Sequence, residues 1–347
     1  MKSQISNAVP FPCDAQSSTF FAALASALLP ALGYTEDTPF YCGPKGSFCV
    51  KCGGCKRSAL QNHQAQLYHD VQTLTGVSFG WAWPEGEPDE LVDFIMGHAG
   101  LTWRRLSKDM GRDAAYQTIA ASIGAGFPAL LKLGAGRDWH VVTGHKNGTL
   151  YGLRYNGKKT ISLPKWFDTF ENAIVITGQC GPTVTLADVL RRIIAVLEQP
   201  MHAQLEAEIN RRIDEISTEN AQEIANWLNE KAGFSVEARY HAAEAFTSGE
   251  TAVNGLLRMT DSKAVKDLLG RIFFSYIADN HDETHGVLWQ VWELLGVGPK
   301  TNYAVPKNAG ELLMKPETQT ELKRLFALVF KNDRDVLAVL REALVLL

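Results

Sequence analysis

The stretch "RDWHVVTGHKNGTLYGLRYNG", Arg137 to Gly157, decides how the first half of this chain is read. Valine, threonine, leucine and aromatic residues form two short apolar runs on either side of Asn147-Gly148, a pair that favours the two-residue turn of a β-hairpin. His140 sits inside the first run, and Asn156 closes the second. Similar six-residue runs begin at Pro128 ("PALLKL") and Ala173 ("AIVITG"), so the hairpin is expected to belong to a small antiparallel sheet.

Two helices are expected ahead of that sheet. One runs from about Ser17 to Leu32 with Ser17 or Ser18 as N-cap, and the other from about Ser58 to Thr75. After Gly181-Pro182 the pattern changes to helical spacing: in "VKDLLGRIFFSYI", Val265, Leu268, Leu269, Ile272, Phe273, Tyr276 and Ile277 recur on one helix face. The expectation is an α+β domain over residues 1–182, followed by an all-α domain of six to eight helices over 183–347.

Composition narrows the function classes. With 347 residues, 46% hydrophobic and 21% charged, the chain has the make-up of an ordinary globular protein. Its formal charge of -4 offers no general attraction to phosphate, so nucleic acid and anionic membrane are not expected as partners. "FFAALASALLPALG" from Phe20 is too short for a membrane span and follows polar sequence, so it reads as a buried helix and not as an export signal. The expected setting is a reducing cytoplasm, where clustered cysteines point to metal or catalysis before disulfides.

A histidine at a strand end can accept a proton from a nucleophile while a side-chain carbonyl holds its other ring nitrogen. Asn156, one hairpin beyond His140, can supply that carbonyl, which is the logic of a Cys-His-Asn site. The plainer alternative is a satisfied core histidine and an ordinary turn asparagine.

"DWHVVTGHKNGTLYGLRYNG" resembles the histidine strand, hairpin and Asp/Asn strand of the papain-like cysteine proteases, in their C39-like and butirosin-biosynthesis-protein-H-like branches. The resemblance extends over roughly Cys13 to Gly178. It implies a papain-like N-terminal domain with a nucleophilic cysteine at the start of a long helix, a histidine on a sheet strand, and an Asp or Asn about one hairpin later. Where many relatives carry Asp, this chain has Asn156, which orients an imidazole but stabilises imidazolium less.

Two cysteines precede expected helices. Cys13, in "FPCDAQSSTFFAALASAL", stands before the first, and Cys55, with Lys56 and Arg57 beside it, before the second. The N–H groups and positive dipole end of a helix favour a thiolate. The butirosin-type relatives carry the nucleophile near the N-terminus, on a helix ending like Leu32-Gly33, which favours Cys13. Neither Gln4 nor Gln16 fits the family's oxyanion position, so the sequence assigns no side-chain donor there; a backbone N–H at the helix start could contribute.

"CGPKGSFCVKCGGC" brings Cys42, Cys49, Cys52 and Cys55 into an insertion of fourteen residues, 42–55. Four thiolates suit tetrahedral zinc, with an iron-sulfur cluster or local disulfides as alternatives. Cys55 cannot serve as both ligand and nucleophile. His281 and His285 in "NHDETHG" stand at i and i+4 without the H-E-x-x-H order, and read as a polar helix end. Trp81 and Trp83 either line a cleft or are buried.

Together these readings lead to a cysteine-dependent acyl-transfer enzyme, a hydrolase or peptidase or an acyltransferase, with Cys13, His140 and Asn156 as its triad. A peptide or acyl thioester would be its substrate, with a carrier or small protein as partner. A non-catalytic papain-like binding module with a structural tetra-cysteine metal site is the alternative.

Overall fold

The computed structural model describes the chain apart from residues 1–2, 6, 10–17, 39–57, 85, 135–138, 155–159, 247–254 and 279–285. It divides into two compact units: unit 1 comprises Met1–Val71, Gly86–Thr185 and Gly249–Gly255, and unit 2 comprises Gln72–Glu85, Leu186–Ser248 and Leu256–Leu347. Unit 1 is α+β and unit 2 is helical among the described residues.

The elements that build unit 1 are β1 (Ser3–Gln4), α1 (Thr19–Ala31), α2 (Ala59–Leu74), α3 (Asp89–Ala99), β2 (Leu101–Ser107), α4 (Arg112–Gly124), β3 (Ala129–Leu133), β4 (Trp139–Lys146), β5 (Thr149–Arg154), β6 (Ile161–Leu163) and β7 (Phe170–Gln179). Six strands form an antiparallel sheet in the order β2-β7-β3-β4-β5-β6. β1 pairs with β4 beyond the end of β3, matching Ser3 to His145 and Gln4 to Gly144.

The β4–β5 turn is the one read from Asn147-Gly148, and both residues take positive φ, 49° and 77°. That is the geometry of a type I′ turn, whose twist matches the strands it joins. Between Val142 and Gly144 the pairing slips, and Thr143 is the extra residue. This bulge resets the alternation, so Val142 and His145 share the face covered by α4.

The two faces of the sheet have different partners. Leu131, Val142, Leu150, Phe170 and Val175 pack with Ala115, Ile119 and Ile123 of α4. α1 lies along β3 and β4, with the Phe20 and Trp139 rings 5.3 Å apart. Eleven of its thirteen residues are buried, because α2 covers it as well: Gln64 donates to Ala22 O at 3.4 Å and Ser26 Oγ at 3.2 Å. Each fully buried leucine or phenylalanine of α1 contributes about 1.5–3 kcal/mol.

Both expected helices are present. Ser18 caps α1 by accepting the Phe21 N–H, and Ser58 and Gln61 close a reciprocal cap at the start of α2. α3, α4, β1, β2 and β6 go beyond the expected two helices and four strands. α4 is alanine-rich with little polar contrast, and "LTWRRLS" buries only Leu101 and Leu106, so neither stretch shows a clear period.

Unit 2 contains α5 (Leu186–Leu197), α6 (Pro200–Asp214), α7 (Ala221–Ala245), α8 (Lys263–Leu269), α9 (Arg271–Phe273), α10 (Gly286–Leu294), α11 (Ala309–Leu313) and α12 (Pro316–Val345). The run read as one helix face over 265–277 breaks into α8, α9 and a π-helical turn, Phe274–Ala278. Val265, Leu268, Leu269, Ile272 and Tyr276 are nevertheless buried, while Phe273 and Ile277 are half-buried. Trp81 is a core residue, stacked on Phe330 at 4.8 Å, and Trp83 meets the Phe234 ring edge-on at 5.0 Å. No helix among the described residues is long and apolar enough to cross a membrane.

Candidate functional site

His140 is the second residue of β4 and is half-buried. Its pairing partners are Leu131 on β3 and Arg154 on β5. Directly paired residues share a face. His140 therefore points to the side of Leu131 and Val142, which α4 covers, while its neighbour Trp139 points to α1.

Trp139 is held from three sides. Its ring packs on Phe20 in the first turn of α1, and its indole N–H donates to Glu87 Oε1 at 3.0 Å. Lys132, its cross-strand partner, places Nζ 5.8 Å from the ring centroid and donates to Glu87 Oε2 at 3.2 Å. Arg105 adds a bond from Nη2 to the Glu87 carbonyl at 2.6 Å and another from Nε to Asp89 Oδ1 at 2.6 Å. Lys132 and Glu87 are 17% and 14% exposed, sheltered enough for the pair to fix this end of β4 and not merely decorate it.

The first turn of α1 thus lies at the His140 end of β4. Its cap is Ser18, whose own N–H donates to the Tyr68 hydroxyl at 3.4 Å. Cys13 precedes that cap by five residues, and Cys55 precedes Ser58 by three. Cys13, Cys42, Cys49, Cys52, Cys55 and Asn156 lie outside the described residues, as do His281 and His285. Gln4 pairs with Gly144, four positions along β4 from His140, about 13 Å at the usual ~3.3 Å per residue. Cys180 is an exposed free thiol, and among the described residues no group of three His, Cys, Asp or Glu side chains is placed to hold a metal ion.

A second polar centre, which sequence reading missed, lies inside unit 2. Arg239 and Asp333 are 3% and 4% exposed, and they form a fork: Nε to Oδ1 at 3.0 Å and Nη2 to Oδ2 at 2.6 Å. Arg239 Nη1 donates to Ser78 O and Gly80 O at 3.2 and 2.7 Å, and its guanidinium lies 5.1 Å from the Trp81 ring centroid. The Tyr276 hydroxyl donates to Asp333 Oδ1 at 2.9 Å. Burial and the Asp333 charge both hold that phenol well above its usual pKa.

His202 Nδ1 lies 3.9 Å from Asp333 Oδ2, yet this is not an ion pair at neutral pH. Loss of hydration, reinforced by the Arg239 charge, outweighs Asp333 and lowers the imidazole pKa to about 4. The signal for this centre in the sequence is a charged residue on the buried stripe of an otherwise amphipathic helix: Arg239 beside Ala238 and Ala242 on α7, Asp333 beside Val329 and Val336 on α12. No protein-family model, curated protein or solved structure matches the chain.

Proposed function

We propose that unit 1 is a papain-like, cysteine-dependent acyl-transfer enzyme. Cys13 attacks a thioester, amide or peptide carbonyl, His140 takes the thiol proton, and Asn156 holds His140 in one tautomer. The resulting acyl-enzyme is a thioester at Cys13, the leaving thiol or amine departs with the proton from His140, and water or an amine releases the acyl group. In this proposal the substrate is a peptide or acyl thioester, presented free or by a carrier protein, and Cys42, Cys49, Cys52 and Cys55 clasp zinc as a structural clip.

The observation that carries this reading is the packing of the first turn of α1 on Trp139, next to His140. Cys13 precedes Ser18 by five residues, a reach of at most ~17 Å.

One observation favours the second reading, a papain-like scaffold that binds without catalysis: the pleat turns His140 away from α1 and toward the α4 face. Brief substoichiometric iodoacetamide at pH 6, followed by peptide mapping of all six cysteines, separates the two. Catalysis requires fast labelling of Cys13 that disappears in His140→Ala. Preferential labelling of Cys55 would move the nucleophile and dissolve the four-thiolate site, and uniformly slow thiols would leave the binding scaffold.

A further inference from the structure

A cavity of about 190 Å³ opens within unit 2 between α7, the π-helical turn, α10 and α12. That exceeds the ~150 Å³ of an engineered cavity that holds benzene, so it admits one ring or short branched chain with a polar group attached. Val236, Ile277, Val287 and Leu328 supply apolar wall. The π turn sends Ser275, Tyr276 and Ile277 into the lining, and such turns recur at functional sites because the extra residue re-aims side chains.

Among the described residues the charge of the lining has one sign. Arg239 and Arg324 contribute to it, whereas their carboxylate partners, Asp333 and Glu321, do not. Arg324 commits Nε and Nη2 to Glu321 at 2.8 and 2.6 Å, which leaves both N–H groups of Nη1 without a partner among the described residues. The side-chain amides of Gln290 and Asn332, also in the lining and half-buried, make no hydrogen bond to a described residue either. An apolar chamber edged by guanidinium and amide donors, with no carboxylate facing in among the described residues, has the chemistry of a site for a carboxylate with an apolar body.

We propose that this cavity binds a small monocarboxylate whose apolar body is about the size of a benzene ring, with Arg324, Asn332 and Gln290 holding the carboxylate. The site is independent of the Cys13–His140 proposal, since neither residue belongs to unit 2.

Calorimetric titration of the full chain with sodium benzoate tests this, with benzyl alcohol (same ring, no charge) and acetate (same charge, no ring) as comparisons. Saturable benzoate binding is expected, at least tenfold tighter than benzyl alcohol, with no measurable acetate binding. Arg324→Gln, a change at an exposed side chain, should weaken benzoate about fivefold or more, and Leu328→Trp, which fills the chamber, should abolish binding. Absence of saturation, or equal affinity for benzyl alcohol, overturns the proposal. So does unchanged affinity in Arg324→Gln, which remains decisive even where Leu328→Trp impairs folding.

Discussion

Replacing Asp333 by alanine would remove the only acidic group that the Arg239 guanidinium bonds among the described residues. It takes away two charge-assisted bonds, at 3.0 and 2.6 Å, and the acceptor of the Tyr276 hydroxyl at 2.9 Å, all within a core where both partners are under 5% exposed. Breaking a buried pair in this way costs about 3–5 kcal/mol, because the surviving charge keeps its desolvation penalty without compensation. The contact of Arg239 with the Trp81 ring at 5.1 Å is present before and after the change, so it does not offset the loss. With a urea m-value of roughly 2 kcal/mol/M for a unit of this size, the helical circular-dichroism midpoint should fall by roughly 2 M. A companion variant, Arg239→Met with Asp333→Leu and Tyr276→Phe, removes charge and orphaned hydroxyl together. It also leaves Ser78 O and Gly80 O without their donor, at about 1–3 kcal/mol each, or about 2–6 kcal/mol together, so its midpoint reports those two carbonyls and not an uncompensated charge. A midpoint change below about 0.3 M in Asp333→Ala would refute the account of this centre as a buried ion pair whose danger lies in being half-removed.

Two further outcomes follow from the same structure. His202 and Glu244 give unit 2 opposed pH dependences. The folded imidazole titrates at about 4 against 6.5 unfolded, so the unfolded state binds the extra proton and stability falls as pH drops from 6.5 to 4, by roughly 3 kcal/mol in all. Burial raises the Glu244 carboxyl to about 8 from 4.5, so the folded state keeps a proton the unfolded state has lost, and stability falls as pH rises from 4.5 to 8. Urea midpoints across pH 4–8 should therefore vary little between 4.5 and 6.5 in the native chain. They should slope downward with rising pH in His202→Phe and upward in Glu244→Gln, and identical slopes in both variants would contradict the assignment. In unit 1, a Cβ at Gly152 would stand 2.3 Å from the Val141 carbonyl oxygen, which is backbone and cannot rotate away. Gly152→Ala should cost about 3 kcal/mol, the upper part of the usual overpacking range, and show as faster hydrogen exchange along Leu150–Leu153. Exchange as slow as in the native chain would mean that the β4–β5 pairing is looser than its register implies.

Several elements are legible from local chemistry alone. Asn147-Gly148 fixes its own turn because only residues tolerant of positive φ close a two-residue hairpin. Ser18 and Ser58 mark helix starts because a hydroxyl there satisfies an otherwise orphaned N–H. The helical spacing after Leu186 announces an all-helical second half, since 3.6-residue periodicity is a property of each segment by itself. α4 and β2 escape such reading because their burial arises from what packs on them and not from any contrast within their own residues.

Of the candidate site, the sequence determined that His140 lies on a strand and that the Cys13 segment leads into the first apolar helix. Only the tertiary structure decided which way His140 points, because cross-strand register assigns faces and a one-residue difference exchanges them. Likewise only packing could join Arg239 to Asp333, 94 residues apart in the chain: each shows locally only as a lone charge on the apolar stripe of its helix, and burial turns the pair into a demand that both be present.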